Sequence, residues 1–173
     1  MIYASLKTVA RWYHPLTPVC YLMFAAAGGL LATLAMLALL GLPITAALVQ
    51  AGIVLMLSAW GVKLAWWRLG GMARHAGSVE SATGLGHLGT VKPLMPPHTE
   101  ENYLQHEMGF VVARKHADKL RIFAIGLGGV LPIIVLLVAP ASAAALGFAV
   151  LSHVAGMFVE RWLFFAEAKH VVT

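Results

Sequence analysis

Residues 19–42 read VCYLMFAAAGGLLATLAMLALLGL, a run of 24 residues without one charged side chain. A helix rises roughly 1.5 Å per residue, so about 20 mostly apolar residues are needed to cross the hydrocarbon core of a bilayer. This run is long enough and apolar enough to do so. We therefore predict a transmembrane helix at about residues 18–42.

Three further apolar stretches follow, and they predict helices at about residues 44–68, 120–139 and 141–167. Short links around Pro43 and Pro140 join the helices in pairs, and a polar loop of about residues 70–118 connects the two pairs. Each helix can satisfy its backbone hydrogen bonds internally, as a membrane requires. The sequence predicts an all-α polytopic membrane protein, with residues 1–173 as one domain of four transmembrane helices in two hairpins.

The composition excludes most other classes of protein. Hydrophobic residues make up 60% of the chain and charged residues only 11%, too few to cover the surface of a soluble domain. The basic residues flank apolar segments and form no stripe among aromatics, so we expect a lipid bilayer and no nucleic acid as partner. The single cysteine, Cys20, excludes an intramolecular disulfide and any cysteine-held metal centre within the chain.

The positions of Lys and Arg predict the orientation in the membrane. Both tight turns are uncharged, whereas the other helix ends carry Lys7, Arg11, Lys63, Arg68, Arg74, Arg114, Lys115, Lys119, Arg121, Arg161 and Lys169. We therefore predict a bacterial cytoplasmic (inner) membrane protein whose termini and long loop are cytoplasmic. Five aromatic residues lie near predicted helix boundaries, as expected for interfacial side chains: Trp12, Tyr13, Trp60, Trp66 and Trp67.

Two features of the loop resemble ligand motifs. Gly84, Gly86 and Gly89 match the dinucleotide pattern G-x-G-x-x-G, but the polar residues before them leave no room for a βαβ unit. A histidine–carboxylate cluster fits no metal template that we tested: His98, Glu100, Glu101, His106 and Glu107. We predict a glycine-rich loop and no metal site.

The same part of the loop has the pattern of an amphipathic helix. Thr99 can cap its start, and apolar side chains fall on one face at helical spacing, namely Leu104, Met108, Val111 and Val112. We predict a helix that lies on the membrane surface and leads into the third crossing.

The fourth predicted helix carries the candidate site residues His153, Glu160 and Arg161. Ionisable groups inside a membrane span are costly, so each is a functional candidate. His153 at mid-depth and Glu160, seven residues later on nearly the same face, could pass protons during quinol oxidation. Alternatively, His153 hydrogen-bonds a neighbouring helix while Glu160 pairs with Arg161. Haem is disfavoured, because it needs two facing axial ligands and His153 is the one histidine well inside a predicted span.

The closing stretch resembles the last helix of the membrane-anchor subunit of dimethyl sulfoxide reductase and its relatives. Gly156, Arg161, Phe164 and Phe165 occupy the positions of that family's Gly, Arg and Phe-rich segment. The opening stretch, residues 1–18, and the loop segments 80–86 and 96–103 are also similar to parts of the family. Family members have about eight membrane helices, so the resemblance covers their C-terminal half, and we expect this chain to be a fragment or a truncated start.

The resemblance implies an anchor subunit with no catalytic residues and no redox centre of its own. Such anchors hold a molybdopterin catalytic subunit and an iron–sulfur electron-transfer subunit at the membrane. They take electrons from menaquinol, which we expect as the electron-donor substrate, and we expect no covalently bound cofactor. In that setting, His153, Glu160 and Arg161 would form the quinol and proton site.

Two other classes of function stay open from the residues alone. A small transporter or channel subunit would need polar residues lining several helices, and the first three predicted spans carry almost none. A membrane scaffold or assembly protein would use the amphipathic loop helix as its contact surface. Both differ from the anchor hypothesis in requiring no quinol.

Overall fold

The computed structural model describes residues 2–7, 9, 11–70, 83–92, 111–139 and 141–168. In this part of the chain the regular structure is helical throughout. A 3-10 turn, Tyr3–Ser5, precedes the first long helix. The α-helices are α1 (Leu16–Leu39), α2 (Ala46–Gly70), α3 (Val111–Lys115), α4 (Ala117–Val138) and α5 (Ala143–Ala166).

Four of these helices have the length and composition of membrane spans. They contain 24, 25, 22 and 24 residues in α1, α2, α4 and α5, and each is strongly apolar. Their outward faces carry large apolar side chains that stay exposed in the isolated chain, among them Leu22, Val54, Ile122, Leu151 and Phe158. Lipid would cover such faces. The predicted fold class, an all-helical chain with four membrane spans, is confirmed.

The turn between α1 and α2 has a defined structure. The Leu42 amide donates to the Leu37 carbonyl at 2.9 Å, and the Gly41 amide donates to the Ala38 carbonyl at 3.2 Å. Gly41 has φ of +66°, a conformation that costs glycine little. The two bonds and the left-handed glycine form a Schellman motif, which ends α1 and reverses the chain.

The turn before α5 relies on a side-chain cap. The Ser142 hydroxyl accepts a hydrogen bond from the Ala145 amide at 3.3 Å, which satisfies one of the free amides of the first turn. At the start of α2, Thr45 accepts from the Leu48 amide at 3.4 Å in the same way. The described helices begin and end within three residues of the predicted positions.

The four long helices form one bundle. Helix α1 packs against α2 and α5, α5 also packs along α4, and α2 makes a smaller contact with α4. The buried side chains form one apolar core that runs through all four helices. The start of α1, the end of α2, the start of α4 and the end of α5 meet at the same end of the bundle, which we call the loop end.

Helix α4 is interrupted by a π-helical segment, Gly126–Val130, between the α-helical parts Ala117–Ile125 and Leu131–Val138. Pro132 is the second residue after the segment. Proline has no N–H, so it cannot bond the carbonyl of Gly128, four residues before it, or that of Leu127, five residues before it. A wider turn is a common response to such an interruption.

The sequence makes two predictions about the loop, an amphipathic helix from Thr99 and a glycine-rich loop around Gly84. The predicted amphipathic helix from Thr99 lies outside the described residues until Val111, where α3 begins. The glycine motif lies within residues 83–92, which form turns with positive φ at Gly84 and Gly89. The His87 ring nitrogen Nδ1 contacts the Gly84 carbonyl at 3.0 Å within the same turn.

Candidate functional site

A cluster of three charged side chains lies inside the bundle near the loop end. Lys63 of α2 forms an ion pair with Glu160 of α5 through Nζ and Oε1, and Arg161 donates from Nε to the other carboxylate oxygen. Glu160 is fully buried, and the Lys63 side chain is 1% exposed. Lys63 lies seven residues before the end of α2, so the pair is about 10 Å inside the bundle by helix rise.

Aromatic rings enclose the lysine. Its Nζ lies 3.8 Å from the ring centroid of Trp66, 5.2 Å from that of Trp67 and 5.5 Å from that of Phe164. An ammonium group is attracted to the negative face of an aromatic ring, more strongly where water is excluded. The rings therefore replace part of the hydration that Lys63 loses on burial.

Arg161 connects this cluster to the outside of the bundle. Its side chain is 27% exposed, in contrast to its two buried partners. The guanidinium carbon lies 4.1 Å from the ring centroid of Tyr21 and 5.0 Å from that of Phe164. Arg161 is thus the member of the cluster that a ligand in the membrane can reach.

The cluster contains more positive than negative groups. Two cations, Lys63 and Arg161, share the single carboxylate of Glu160. Charges in a medium of low dielectric constant are costly unless they are balanced. An anionic or electron-rich group beside Arg161 would reduce the imbalance.

Polar side chains of α5 also serve the interrupted helix α4. The Ser152 hydroxyl donates to the Leu127 carbonyl at 2.6 Å, and Nδ1 of His153 lies 2.6 Å from the Gly128 carbonyl. Because a carbonyl only accepts, Nδ1 carries the proton of this hydrogen bond. These are the two carbonyls to which Pro132, having no N–H, cannot donate. Ser152 and His153 therefore satisfy polar backbone that would be costly inside the bundle.

Glycine allows the close approach of α4 and α5 at this point. A Cβ on Gly156 would overlap the backbone N and Cα of Gly128. A Cβ on Gly28 of α1 would lie 3.0 Å from Nε2 of His153, so the imidazole is held between α1 and α4. The ring is 5% exposed.

The structure brings together two of the three predicted site residues. Glu160 and Arg161 are in contact, and Lys63 joins them. His153 is seven residues earlier on the same helix, or about 10 Å along its axis, and its described hydrogen bond is to backbone. The neighbouring-helix bond and the Glu160–Arg161 pair both occur, and whether any of the three residues handles a quinol or protons stays a prediction.

Sequence reasoning missed Lys63 as a site residue. It counted Lys63 among the basic residues that set orientation, although a lysine seven residues inside an apolar helix is itself a functional signal. The sequence also predicts that the tryptophans near this helix end are interfacial. Trp60, Trp66 and Trp67 are instead at most 8% exposed, with their rings in the interior of the bundle.

A second ion-pair network lies at the loop end, beyond the spans. Glu167, just after α5, pairs with Arg11 at 3.0 Å and with Arg121 near the start of α4. Arg121 also bonds Asp118 at 2.9 Å. Burial lowers the pKa of Arg11, and the adjacent Glu167 carboxylate partly offsets that shift. Glu167 thereby joins the segment before α1 to α4 and α5.

Among the described residues, no group of three or more His, Cys, Asp or Glu side chains is placed to hold a metal ion. The described site has three chemical groups of its own. It provides a buried carboxylate, a buried ammonium and a guanidinium that faces outward, within a frame of aromatic rings.

Comparison with known proteins relates the chain to a dehydrogenase. A sulfite dehydrogenase subunit of Allochromatium vinosum is 27% identical to it over 174 residues, a match that covers 98% of this chain and 53% of that protein. The chain thus spans about half the length of the curated relative that it matches. No protein-family model and no solved structure matches the chain.

Proposed function

We propose that this chain is a membrane subunit of a multi-subunit oxidoreductase complex that exchanges electrons with a quinone. The single observation that carries the proposal is the buried Lys63–Glu160–Arg161 cluster, open to the membrane through Arg161, in a chain similar to a dehydrogenase subunit. The soluble subunits would contain the molybdopterin and iron–sulfur centres, as the resemblance to the dimethyl sulfoxide reductase anchors implies. This chain would hold them at the membrane.

The chemistry of a quinone explains why such a cluster would be useful. Oxidation of a quinol gives a quinone, two electrons and two protons, and reduction reverses this balance. The electrons pass to or from the soluble subunits. The protons need acceptors near the ring, and a carboxylate between two cations can receive and release them without leaving a bare negative charge in lipid.

The two lines of similarity favour opposite directions of electron flow. The dimethyl sulfoxide reductase anchors oxidise menaquinol. The name of the similar protein, by contrast, favours removal of electrons from sulfite. Under our proposal those electrons would reduce a quinone. The side-chain requirements at the quinone are the same in both directions, because the same two protons are exchanged.

The loop end would carry the docking surface for the soluble subunits. Arg68, Lys115 and Lys119 are exposed there, close to the end of α2 and the start of α4. Exposed basic groups attract an acidic partner surface and speed its association. The soluble subunits would then bind on the side of the membrane where we predict the loop, the cytoplasmic side.

The test begins with purification of the tagged chain from its native membrane in mild detergent. Mass spectrometry of the co-purifying proteins should identify a molybdopterin subunit and an iron–sulfur subunit. The complex is then assayed with sulfite and menadione, and with menadiol and dimethyl sulfoxide. We expect turnover in one of the two pairs, and that pair gives the direction of electron flow.

The role of the cluster is tested in the same complex. A Lys63→Gln, Glu160→Gln double variant keeps hydrogen-bonding groups but removes the ionisable pair, and quinone-linked turnover should fall at least about tenfold, the effect of losing a positioned proton acceptor. Turnover with a soluble dye that reacts directly with the iron–sulfur subunit should stay unchanged. His153→Asn keeps a donor near the Gly128 carbonyl but cannot titrate, so a slower quinone-linked rate there would assign His153 to proton transfer.

Two results would contradict the proposal. If the chain purifies without partner subunits, it is not a subunit of an oxidoreductase complex. If the partners are present but the double variant keeps the full quinone-linked rate, the charged cluster has no part in quinone chemistry.

A further inference from the structure

A cavity of about 320 Å³ opens at the loop end beside the charged cluster. Its lining residues come from the segment before α1 and from the first two turns of α1: Ile2, Tyr3, Ala4, Thr17 and Tyr21. The Thr17 hydroxyl is already engaged, because it donates to the Trp12 carbonyl at 2.9 Å and accepts from Nε1 of Trp66 at 3.0 Å. The walls of the cavity are thus largely apolar and aromatic.

Two of the lining rings are nearly parallel. The ring planes of Tyr3 and Tyr21 differ by 15°, and their centroids are 6.4 Å apart. Tyr3 also makes edge-to-face contacts with two other rings. Its ring centroid lies 5.1 Å from that of Trp12 and 5.4 Å from that of Phe165. Parallel aromatic faces favour the binding of a flat ring by stacking.

The charged cluster is linked to this cavity through Tyr21, which lines the cavity and contacts Arg161. The Arg161 guanidinium stacks on the ring of Tyr21 and donates to Glu160, which pairs with Lys63. Its Nη1 has no hydrogen-bond partner in the part of the chain that the structure describes. That atom is buried, so a ring oxygen in the cavity would approach the exposed 27% of the Arg161 side chain and not Nη1.

We infer that this cavity is where the head group of the quinone binds, with its ring against Tyr3 and Tyr21 and one ring oxygen toward Arg161. This inference rests on the proposed function and gives the location in the structure where the quinone would bind. The excess positive charge of the cluster would stabilise the deprotonated form of a bound quinol. Because a guanidinium has no lone pair that accepts a proton, Arg161 would hold the ring oxygen, while Glu160, paired with Arg161 and Lys63, would accept the released proton.

A phospholipid is the alternative occupant of a half-open cavity near a membrane surface. Its acyl chain would fill apolar space, and its phosphate would pair with Arg161. The parallel faces of Tyr3 and Tyr21 favour a flat ring over a flexible chain, since stacking has no counterpart for an acyl chain. The test separates these two occupants.

The probe is an azide-bearing naphthoquinone, cross-linked by light to the purified complex in nanodiscs of phosphatidylcholine. We expect labelling of the peptides that contain Tyr3 and Tyr21, and competition by excess menadione. Tyr21→Leu keeps an apolar side chain but removes the aromatic face, and it should weaken probe binding roughly fivefold to tenfold, as loss of one aromatic stack predicts. Tyr13→Leu is the matched control, because Tyr13 lies near the same end, is 51% exposed and does not line the cavity.

Each other outcome overturns the inference in a distinguishable way. If label appears elsewhere while quinone-linked turnover is intact, the proposed function stands and this location is wrong. If phosphatidylglycerol in the nanodiscs displaces the probe and excess menadione does not, the cavity is a lipid site. If neither labelling nor quinone-linked turnover is found in a complete complex, the proposed function fails together with its location.

Discussion

At the scale of single residues, the three charged side chains of the site do not contribute equally to stability. Glu160 balances two cations, whereas Lys63 and Arg161 each share that one carboxylate. Removing Lys63 leaves a balanced pair of Glu160 and Arg161. Removing Glu160 leaves two cations near each other with no counter-charge, and a buried uncompensated charge is strongly destabilising.

We therefore expect Glu160→Gln to lower the free energy of unfolding by about 3–5 kcal/mol, the usual cost of leaving a buried charge without its partner. Lys63→Met should cost only about 1–2 kcal/mol, mainly through loss of the contacts with the Trp66 and Trp67 rings. Thermal unfolding of both variants in the same detergent measures the difference. Equal melting temperatures of the two variants would contradict this expectation. They would show that Glu160 is paired with Lys63 only and that Arg161 does not balance its charge.

At the scale of helices, the sequence is sufficient to predict where the membrane spans lie, but not which faces of the spans contact each other. Uncharged runs bounded by Pro43 and Pro140 locate the helix ends, because apolar length and chain-breaking residues are local properties. The Lys63–Glu160 pair depends on which faces of α2 and α5 meet, and periodicity in an almost wholly apolar helix gives little information about this. The π-helical segment likewise depends on Pro132 and on donors from another helix, Ser152 and His153.

The crossing of α4 and α5 gives a test at this scale. Gly156 faces the backbone of Gly128 without space for a methyl group, so Gly156→Ala must separate the helices or shift α4. It should destabilise the fold by about 1–3 kcal/mol, as overpacking does. Gly147→Ala is the control on the same helix, since a Cβ there would meet nothing within 4 Å. A thermal shift of the same size in both variants would refute close packing at Gly156.

At the scale of the whole molecule, the distribution of charge gives the protein two unlike ends. Among the described residues, the loop end contains Arg11, Arg68, Lys115 and Arg121, the Glu167 network and the proposed quinone cavity, while the sequence of the two tight turns at the opposite end is uncharged. Basic residues near the ends of spans are retained on the cytoplasmic side of bacterial membranes. Electron exchange with cytoplasmic subunits would then take place at the same end as quinone binding.

Cysteine labelling tests this orientation in intact membranes. Cys20 is 3% exposed and is replaced by serine to give a silent background. Lys92→Cys places a thiol in the loop, and Leu42→Cys places one in the turn after α1, where the native side chain is 48% exposed. With a membrane-impermeant maleimide, Lys92→Cys should react in inside-out vesicles only and Leu42→Cys in spheroplasts only, because α2 lies between them. The reverse pattern would place the loop outside the cytoplasm, and labelling of both positions from one side would contradict α2 as a membrane span.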